Sequence, residues 1–133
     1  ALLYSQLIKI KKIQNIRKKN WFIFKRSIKK LNTQKFYLIE PDKKSTSAYH
    51  ILGLIFKTAQ IANQFKKIFQ NKKIAATFHY VPLHKSKMGK KYCKYKLPIT
   101  ENIYSRVVRL PLFSDMKKKE INKITSLIKT FCA

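Results

Sequence analysis

Two histidines lie five residues apart in the segment FHYVPLH, residues 78–84, of a chain that has three histidines among 133 residues. Imidazole groups can ligate a metal, transfer a proton or hydrogen-bond to a ligand. His50, His79 and His84 have no cysteine or carboxylate close by in sequence, and such a set makes a weak metal site. We therefore predict no metal site. The segment is expected to lead from a strand into a turn.

Known catalytic motifs are absent from the sequence. It contains no G-x-G-x-x-G, no G-x-x-x-x-G-K-[ST], no G-x-S-x-G and no H-E-x-x-H. Two glycines cannot build a phosphate-binding loop, and the five carboxylates are scattered along the chain. Glu101 and Glu120 suit the first turn of a helix, where negative charge is favourable. No catalytic residue is predicted from the side chains alone.

The charge balance is extreme, with 31 Lys and Arg against 5 Asp and Glu and a net charge of +26. Such a surplus attracts polyanions. Lysine supplies nearly all of it, whereas proteins that bind phosphate commonly also use the bidentate guanidinium of arginine. Abundant Ile, Asn, Phe and Tyr accompany the lysine, as in an AT-rich coding bias. We favour that bias, and a basic nucleic-acid-binding module is the first alternative function.

Cysteine use and hydropathy indicate the expected compartment. Cys93 and Cys132 are far apart and form no C-x-x-C motif, so they are expected to be free thiols. The longest apolar run, ILGLIF at 51–56, is far shorter than the ~18 residues of a membrane span. We expect a cytoplasmic protein without membrane insertion.

The periodicity of apolar residues predicts the elements that position these side chains. Steps of three or four from Leu3 to Leu31 predict one long amphipathic helix over 1–31. Further helices are expected after caps at Thr58, at Thr100 and at Ser114 or Asp115. Strands are expected at 48–56, at 74–80 and in 106–113, where Pro111 ends the strand, with at most a short edge strand at 36–39 and a loop at 85–98. This order predicts a single α+β domain, 1–133, in which helices pack on a small mixed sheet.

Several separate motifs resemble one enzyme family. FHYVPLH, then Gly89 and Tyr92, then LPITENIYSRVVRLPLF and a final helix resemble the C-terminal domain of the DegT/DnrJ/StrS sugar-nucleotide aminotransferases. These are pyridoxal-phosphate (PLP) enzymes of the aspartate aminotransferase fold, so the resemblance implies a small, mostly antiparallel sheet packed by helices. ALLYSQLIKIKKIQNIRKKNW resembles the long helix of that family, and SAYHILGLIF resembles one of its strand motifs. The resemblance implies that 1–133 is the C-terminal portion of a larger aminotransferase, with helix 1–31 leading in from its large domain.

The resemblance also implies a reaction. The complete enzyme would transfer an amino group from glutamate to the C4 ketone of a nucleotide-linked sugar, for cell-surface polysaccharide synthesis of the enterobacterial common antigen type. In the family, the N-terminal domain carries the Schiff-base lysine and its carboxylate partner, so PLP would be bound mainly there. No lysine of this chain matches the Schiff-base motif. The chain alone is expected to be inactive, and the complete enzyme to be a homodimer.

The resemblance places His79, Tyr80 and His84 on a turn beside the sugar-nucleotide site, where they would bind substrate. It implies a structural role for His50, on an adjacent strand, and packing or dimer contacts for Arg106.

The chain departs from the family in the loop that follows. Lys87 stands where proline is common and Cys93 where glycine is common, and residues 93–98 form a short segment. The loop is therefore more basic, and the identity of the sugar is open. A non-catalytic interaction domain that pairs with a separate N-terminal half is the second alternative function.

Overall fold

The structure, a computed structural model, describes residues 2–92 and 95–133. The prediction for Cys93 falls outside these residues. The predicted α+β fold is confirmed. Its described elements are the helices α1 (Leu2–Ile8), α2 (Ile10–Lys29), α3 (Ala59–Asn71), α4 (Gly89–Tyr92), α5 (Pro98–Arg106) and α6 (Lys118–Cys132), and the strands β1 (Phe36–Leu38), β2 (Leu52–Phe56) and β3 (Val107–Leu110).

The three strands form an antiparallel sheet in the order β1-β2-β3. Phe36 pairs with Phe56 across β1 and β2, and Gly53 pairs with Arg109 across β2 and β3. Because side chains alternate along a strand, this register fixes two faces. One face carries the buried side chains of Phe36, Leu52, Leu54, Phe56, Val108 and Leu110. The opposite face carries Tyr37, Gly53, Ile55, Val107 and Arg109.

The buried face packs against helices α2, α3 and α6. They contribute Trp21, Phe24, Ile28, Ala62, Phe65, Phe69, Ile121, Ile124 and Ile128 to the core. Phe65 lies at its centre, with ring centroids 4.8 Å from Phe56, 4.2 Å from Phe69 and 5.0 Å from Phe131. Since these helices cover one face only, the opposite face is left to α5 and to the loops.

The predicted long helix is interrupted once. Lys9, with φ −96° and ψ 3°, separates α1 from α2. Helix α2 buries Trp21, Phe24 and Ile28, whereas α1 buries no residue. Packing therefore stabilises the second helix and does not constrain the first.

The predicted strands are all shorter in the structure, with β1 ending at Leu38 and β3 spanning only Val107–Leu110 of the predicted 106–113. Strand β2 begins at Leu52 and not at residue 48, since Tyr49 has φ 46°, a left-handed conformation that strands exclude. The predicted strand 74–80 is wrong except at Thr77. The Thr77 N–H donates to the carbonyl of Arg109 at 3.1 Å, and the Arg109 N–H donates to the carbonyl of Thr77 at 2.7 Å.

Helix starts were predicted with mixed success. The Thr58 hydroxyl accepts a hydrogen bond from the N–H of Ile61 at 3.2 Å, so that cap is confirmed. The cap at Thr100 is wrong, because Pro98 already occupies the first turn of α5. Proline suits that position, since its missing N–H has no helical acceptor there.

The start of α6 and the segment before α5 also differ from the prediction. Helix α6 begins after Lys117, whose N–H donates to the Glu120 carboxylate at 2.7 Å, so neither Ser114 nor Asp115 is the cap. The predicted loop 85–98 contains helix α4 and overlaps a 3-10 turn at Leu83–Lys85. Within residues 2–92 and 95–133, no helix combines the length and hydropathy needed to cross a membrane.

Candidate functional site

A cleft of about 1000 Å³ lies over the sheet face opposite the core. Its volume is at the upper end of the ~300–1,000 Å³ typical of small-molecule sites. Gly53, Val107 and Arg109 of the sheet border it on one side. The other borders are segment 79–83, helix α5 and the loop before β2, which contribute His79, Tyr80, Val81, Pro82, Leu83, Ile99, Thr100, Ile103, Tyr104 and residues around His50.

The floor of the cleft depends on a glycine. Gly53 lies between Ile39 and Arg109, and its carbonyl accepts a hydrogen bond from the Ile39 N–H at 2.9 Å. A Cβ atom at Gly53 would lie 2.8 Å from Cδ1 of Ile39. The absence of a side chain at Gly53 thus lets the Ile39 side chain cover this part of the sheet.

Segment 77–80 is held beside β3 by the Thr77–Arg109 bridge and carries two aromatic rings into the cleft. The rings of His79 and Tyr80 meet edge to face with centroids 4.8 Å apart. Both residues are exposed, Tyr80 to 71%. The Arg109 guanidinium carbon lies 5.8 Å from the centroid of the Tyr80 ring. His79 and Tyr80 thus face open space beside a cation.

His84 is placed differently from the other two predicted site residues. Its side chain is only 10% exposed, and Nε2 lies 3.2 Å from Oε1 of Glu101. Lys85 Nζ lies 2.6 Å from Oε2 of the same carboxylate. The hydrogen bond from Lys85, followed by that from His84, holds the pKa of Glu101 below its usual value. These three residues, the Glu101 cluster, tie the 3-10 turn to the first turn of α5.

Helix α4 supports the same 3-10 turn, Leu83–Lys85. The Gly89 N–H donates to the Ser86 hydroxyl at 2.8 Å. A Cβ atom at Gly89 would overlap the carbonyl oxygen of Leu83 and lie 2.6 Å from its carbonyl carbon. Only glycine permits this backbone-to-backbone approach.

His50 and Arg106 have contrasting roles. The placement of His50 on a strand is wrong, because it precedes β2, is exposed and borders the cleft. Arg106 donates to the carbonyls of Phe56 and Lys57, both at 3.3 Å, which agrees with the predicted packing role.

The sequence interpretation did not single out Arg109 as a site residue. A usable signal existed, since Arg109 alternates with Val108 and Leu110 in an apolar strand. It must therefore point away from the core.

The bordering residues do not fit PLP. None of the described residues that border the cleft is a lysine, so an amine for a Schiff base is missing. The one bordering carboxylate, Glu40, is paired with Lys25 and Lys29, and the hydrogen bond from Lys25 is the main cause of its lowered pKa. A PLP site therefore cannot be built from this cleft alone.

Solved aminotransferase structures share the fold. TlmJ from Streptoalloteichus hindustanus superposes with a TM-score of 0.85 at 16% identity, over 96% of this chain and 34% of that one. PseC from Helicobacter pylori, an aminotransferase involved in pseudoaminic acid biosynthesis, gives 0.84 at 17% identity, over 97% and 35%. A family member from Brucella abortus gives 0.82 at 20% identity, over 98% and 34%. The chain thus spans about a third of the length of these structures.

Comparisons of the sequence identify the family of the chain. No curated protein sequence matches the chain significantly. The model of the DegT/DnrJ/EryC1/StrS aminotransferase family matches residues 1–129. With that match and the shared fold, the chain belongs to the DegT/DnrJ/EryC1/StrS family of PLP-dependent aminotransferases.

Proposed function

We propose that the chain forms the C-terminal part of an aminotransferase that moves an amino group from glutamate to the C4 ketone of a nucleotide-linked sugar. The carrying observation is the family match over residues 1–129. An open cleft bordered by His79 and Tyr80 supports it, because the resemblance assigns those residues to the substrate.

The proposed substrate is a dTDP-linked 4-keto sugar. HYVPLH and SRVVRLPLF are most similar to dTDP-4-amino-4,6-dideoxygalactose transaminase, which serves enterobacterial common antigen synthesis. The proposed setting is therefore cell-surface polysaccharide synthesis by a cytoplasmic homodimer.

In this proposal, the chain and a region outside it have different roles. PLP supplies the electron sink for amino transfer, and a region outside this chain holds it, since the cleft offers no lysine. The chain closes one side of the substrate site. His79 and Tyr80 contact the sugar nucleotide, His84 keeps their turn in place through Glu101, and the apolar residues of α5 exclude water from that side.

The test joins the chain to the coding region upstream of it, in one polypeptide or by co-expression. The purified assembly, loaded with PLP, is given glutamate and a dTDP-4-keto-6-deoxy sugar, and the amino sugar is detected by mass spectrometry. Transfer is expected only when both parts are present. Transfer by the upstream region alone, or none by the assembly, would contradict the proposal.

Variants locate the contribution of the chain. His79→Ala and His84→Ala should each lower kcat/KM by about tenfold or more, since small displacements of a substrate-positioning group have effects of that size. Lys67→Ala, on the exposed side of α3, is the matched control and should leave kcat/KM unchanged. All variants should still assemble, as checked by sizing.

A further inference from the structure

Tyr49 has an unusual backbone conformation beside the cleft. Its φ is 46°, in the left-handed region that bulky side chains rarely adopt. The Tyr49 N–H donates to the Ser47 hydroxyl at 3.1 Å. The centroid of its ring lies 5.5 Å from that of Trp21 and 5.9 Å from that of Phe22. Packing against α2 therefore holds a backbone geometry that is unfavourable in itself. Such conformations persist only where the surroundings fix them, and they are concentrated at functional sites.

The conformation of Tyr49 determines where His50 lies. Leu52 and Leu54 of β2 point into the core and are fully buried. Because side chains alternate along a strand, a β2 that extended back to residue 48 would place His50 on the core face as well. In the structure, β2 begins only at Leu52, and His50 is exposed and borders the cleft. The left-handed residue thus ends the extended chain next to His50 and leaves the imidazole at the cleft instead of in the core.

The imidazole of His50 is available to a ligand. Of the other two histidines, His84 is bonded to Glu101, and His79 packs on the ring of Tyr80. Among the residues that the structure describes, no group hydrogen-bonds to the ring of His50. A neutral imidazole has one donor and one acceptor nitrogen, which matches the donor and acceptor capacity of a hydroxyl group.

The same side of the cleft carries further side-chain oxygen atoms. Ser45, Thr46 and Ser47 border the cleft on the loop that leads to His50, and Glu40 borders it at the start of that loop. Of the described residues in 39–51 that border the cleft, none is a lysine or an arginine. This side therefore suits uncharged hydroxyl groups better than phosphate, which binds most strongly to cationic side chains.

We propose that residues 45–50 form a sugar-binding side of the cleft, in which His50 hydrogen-bonds a sugar hydroxyl and Tyr49 is the residue that positions His50. The inference rests on the proposed function, in which a nucleotide-linked sugar occupies the cleft. It gives His50 a contact with substrate in place of the structural role that the family resemblance implies.

The test follows the carbon-bound ring protons of His50 by NMR in the 133-residue chain. dTDP-glucose, dTDP and inorganic phosphate are titrated separately. We expect dTDP-glucose to shift the His50 ring signals and phosphate alone to leave them unchanged. A larger shift with dTDP-glucose than with dTDP identifies the hexose as the group bound, and equal shifts identify the deoxyribose.

Variants separate a positioning role of Tyr49 from a general loss of stability. His50→Ala should weaken binding of dTDP-glucose about three- to tenfold, as loss of one hydrogen bond does. Tyr49→Val removes the ring and disfavours the left-handed conformation, so it should weaken binding equally. Tyr49→Phe keeps the ring and should bind as the wild type does. The double variant Tyr49→Val/His50→Ala should bind no more weakly than His50→Ala, because both changes act on one contact.

The matched control is Tyr37→Val, at an exposed position of β1 that does not border the cleft. Its affinity should equal that of the wild type, and amide dispersion confirms that each variant is folded. His50 signals that respond to phosphate alone, or to no probe, would overturn the assignment of His50. Additive losses in the double variant, or an equal loss in Tyr37→Val, would overturn the positioning role of Tyr49.

The amino-transfer test distinguishes this inference from the proposed function. Binding through His50 in an assembly that does not transfer amino groups would keep the sugar-binding side and reject the proposed function. Amino transfer with an unchanged KM for the sugar nucleotide in His50→Ala would do the reverse.

Discussion

His84 and Glu101, 17 residues apart in sequence, are joined by a contact of 3.2 Å between Nε2 and Oε1. The contact links a turn that follows the cleft-lining segment to the first turn of α5. Since Lys85 binds the other oxygen of the carboxylate, a single side chain fixes the turn from two directions. The placement of His79 and Tyr80 therefore depends on Glu101, a residue that borders neither ring.

Replacing Glu101 by Gln should loosen the turn without unfolding the domain. The amide lacks the charge that both His84 and Lys85 bind, so amide hydrogen exchange in residues 83–86 should become severalfold faster. Far-UV circular dichroism should be unchanged. In Asp115→Asn, a control that removes one exposed carboxylate elsewhere, exchange in 83–86 should keep its original rate. His84→Ala and Glu101→Gln should be non-additive, because they act on one contact.

Acidification should release the same contact. The pKa of Glu101 is lowered, mainly by the hydrogen bond from Lys85 and then by that from His84. The stability that the ionised Glu101 carboxylate contributes is therefore fully present above the pKa that Glu101 has in the unfolded chain. It is lost as pH falls through the lower pKa of the folded state. An NMR titration should show amides 83–86 shifting with a midpoint below the usual value for glutamate. A midpoint at or above that value, or an identical transition in Glu101→Gln, would refute this prediction.

The two glycines should respond differently to alanine. Gly89→Ala places a Cβ against the backbone of Leu83 and should destabilise the domain by about 1–3 kcal/mol, as overpacking does. Gly53→Ala meets only the mobile end of the Ile39 side chain, so its cost should be smaller. Urea denaturation of both variants gives the comparison. Equal losses of unfolding free energy would show that backbone contact is not the cause.

Helix α1 should drive self-association of the isolated chain. Leu3 and Leu7 are 72% and 54% exposed, and no core residue comes from this helix. Apolar patches of this kind mark interaction surfaces. The Leu3→Gln/Leu7→Gln variant should shift sizing and light scattering toward monomer, whereas Lys11→Gln/Lys12→Gln should not. If the wild-type chain is already monomeric at all concentrations, the prediction fails.

Nucleic acid should bind only through charge. With a net charge of +26, binding to DNA should be sequence-blind and fall steeply as salt rises, since released counterions drive it. Competition between unrelated duplexes at several salt concentrations measures both properties. A preference for one site above about 10³-fold, the low end for specific binders, would favour the nucleic-acid module.

Much of the fold could be predicted because its causes are local. The apolar spacing of α2, α3 and α6 selects the face that each helix buries, whatever it packs against. The Thr58 cap and the end of β3 before Pro111 depend on neighbouring residues alone. The motif resemblance likewise singled out His79 and Tyr80, which border the cleft in the structure.

The site itself was decided by contacts between distant residues. The Thr77–Arg109 bridge and the Glu101 cluster join elements far apart in sequence, and no local pattern encodes such pairs. Segment 74–80 has the alternation of a strand, but it pairs with β3 at a single position, Thr77 with Arg109. Periodicity in the sequence determined the buried faces of α2, α3 and α6, whereas Leu3 and Leu7 of the same predicted stripe are exposed. Only the tertiary structure decided that His84 turns toward a carboxylate and Arg109 toward an open cleft, since those positions depend on how the sheet and α5 meet.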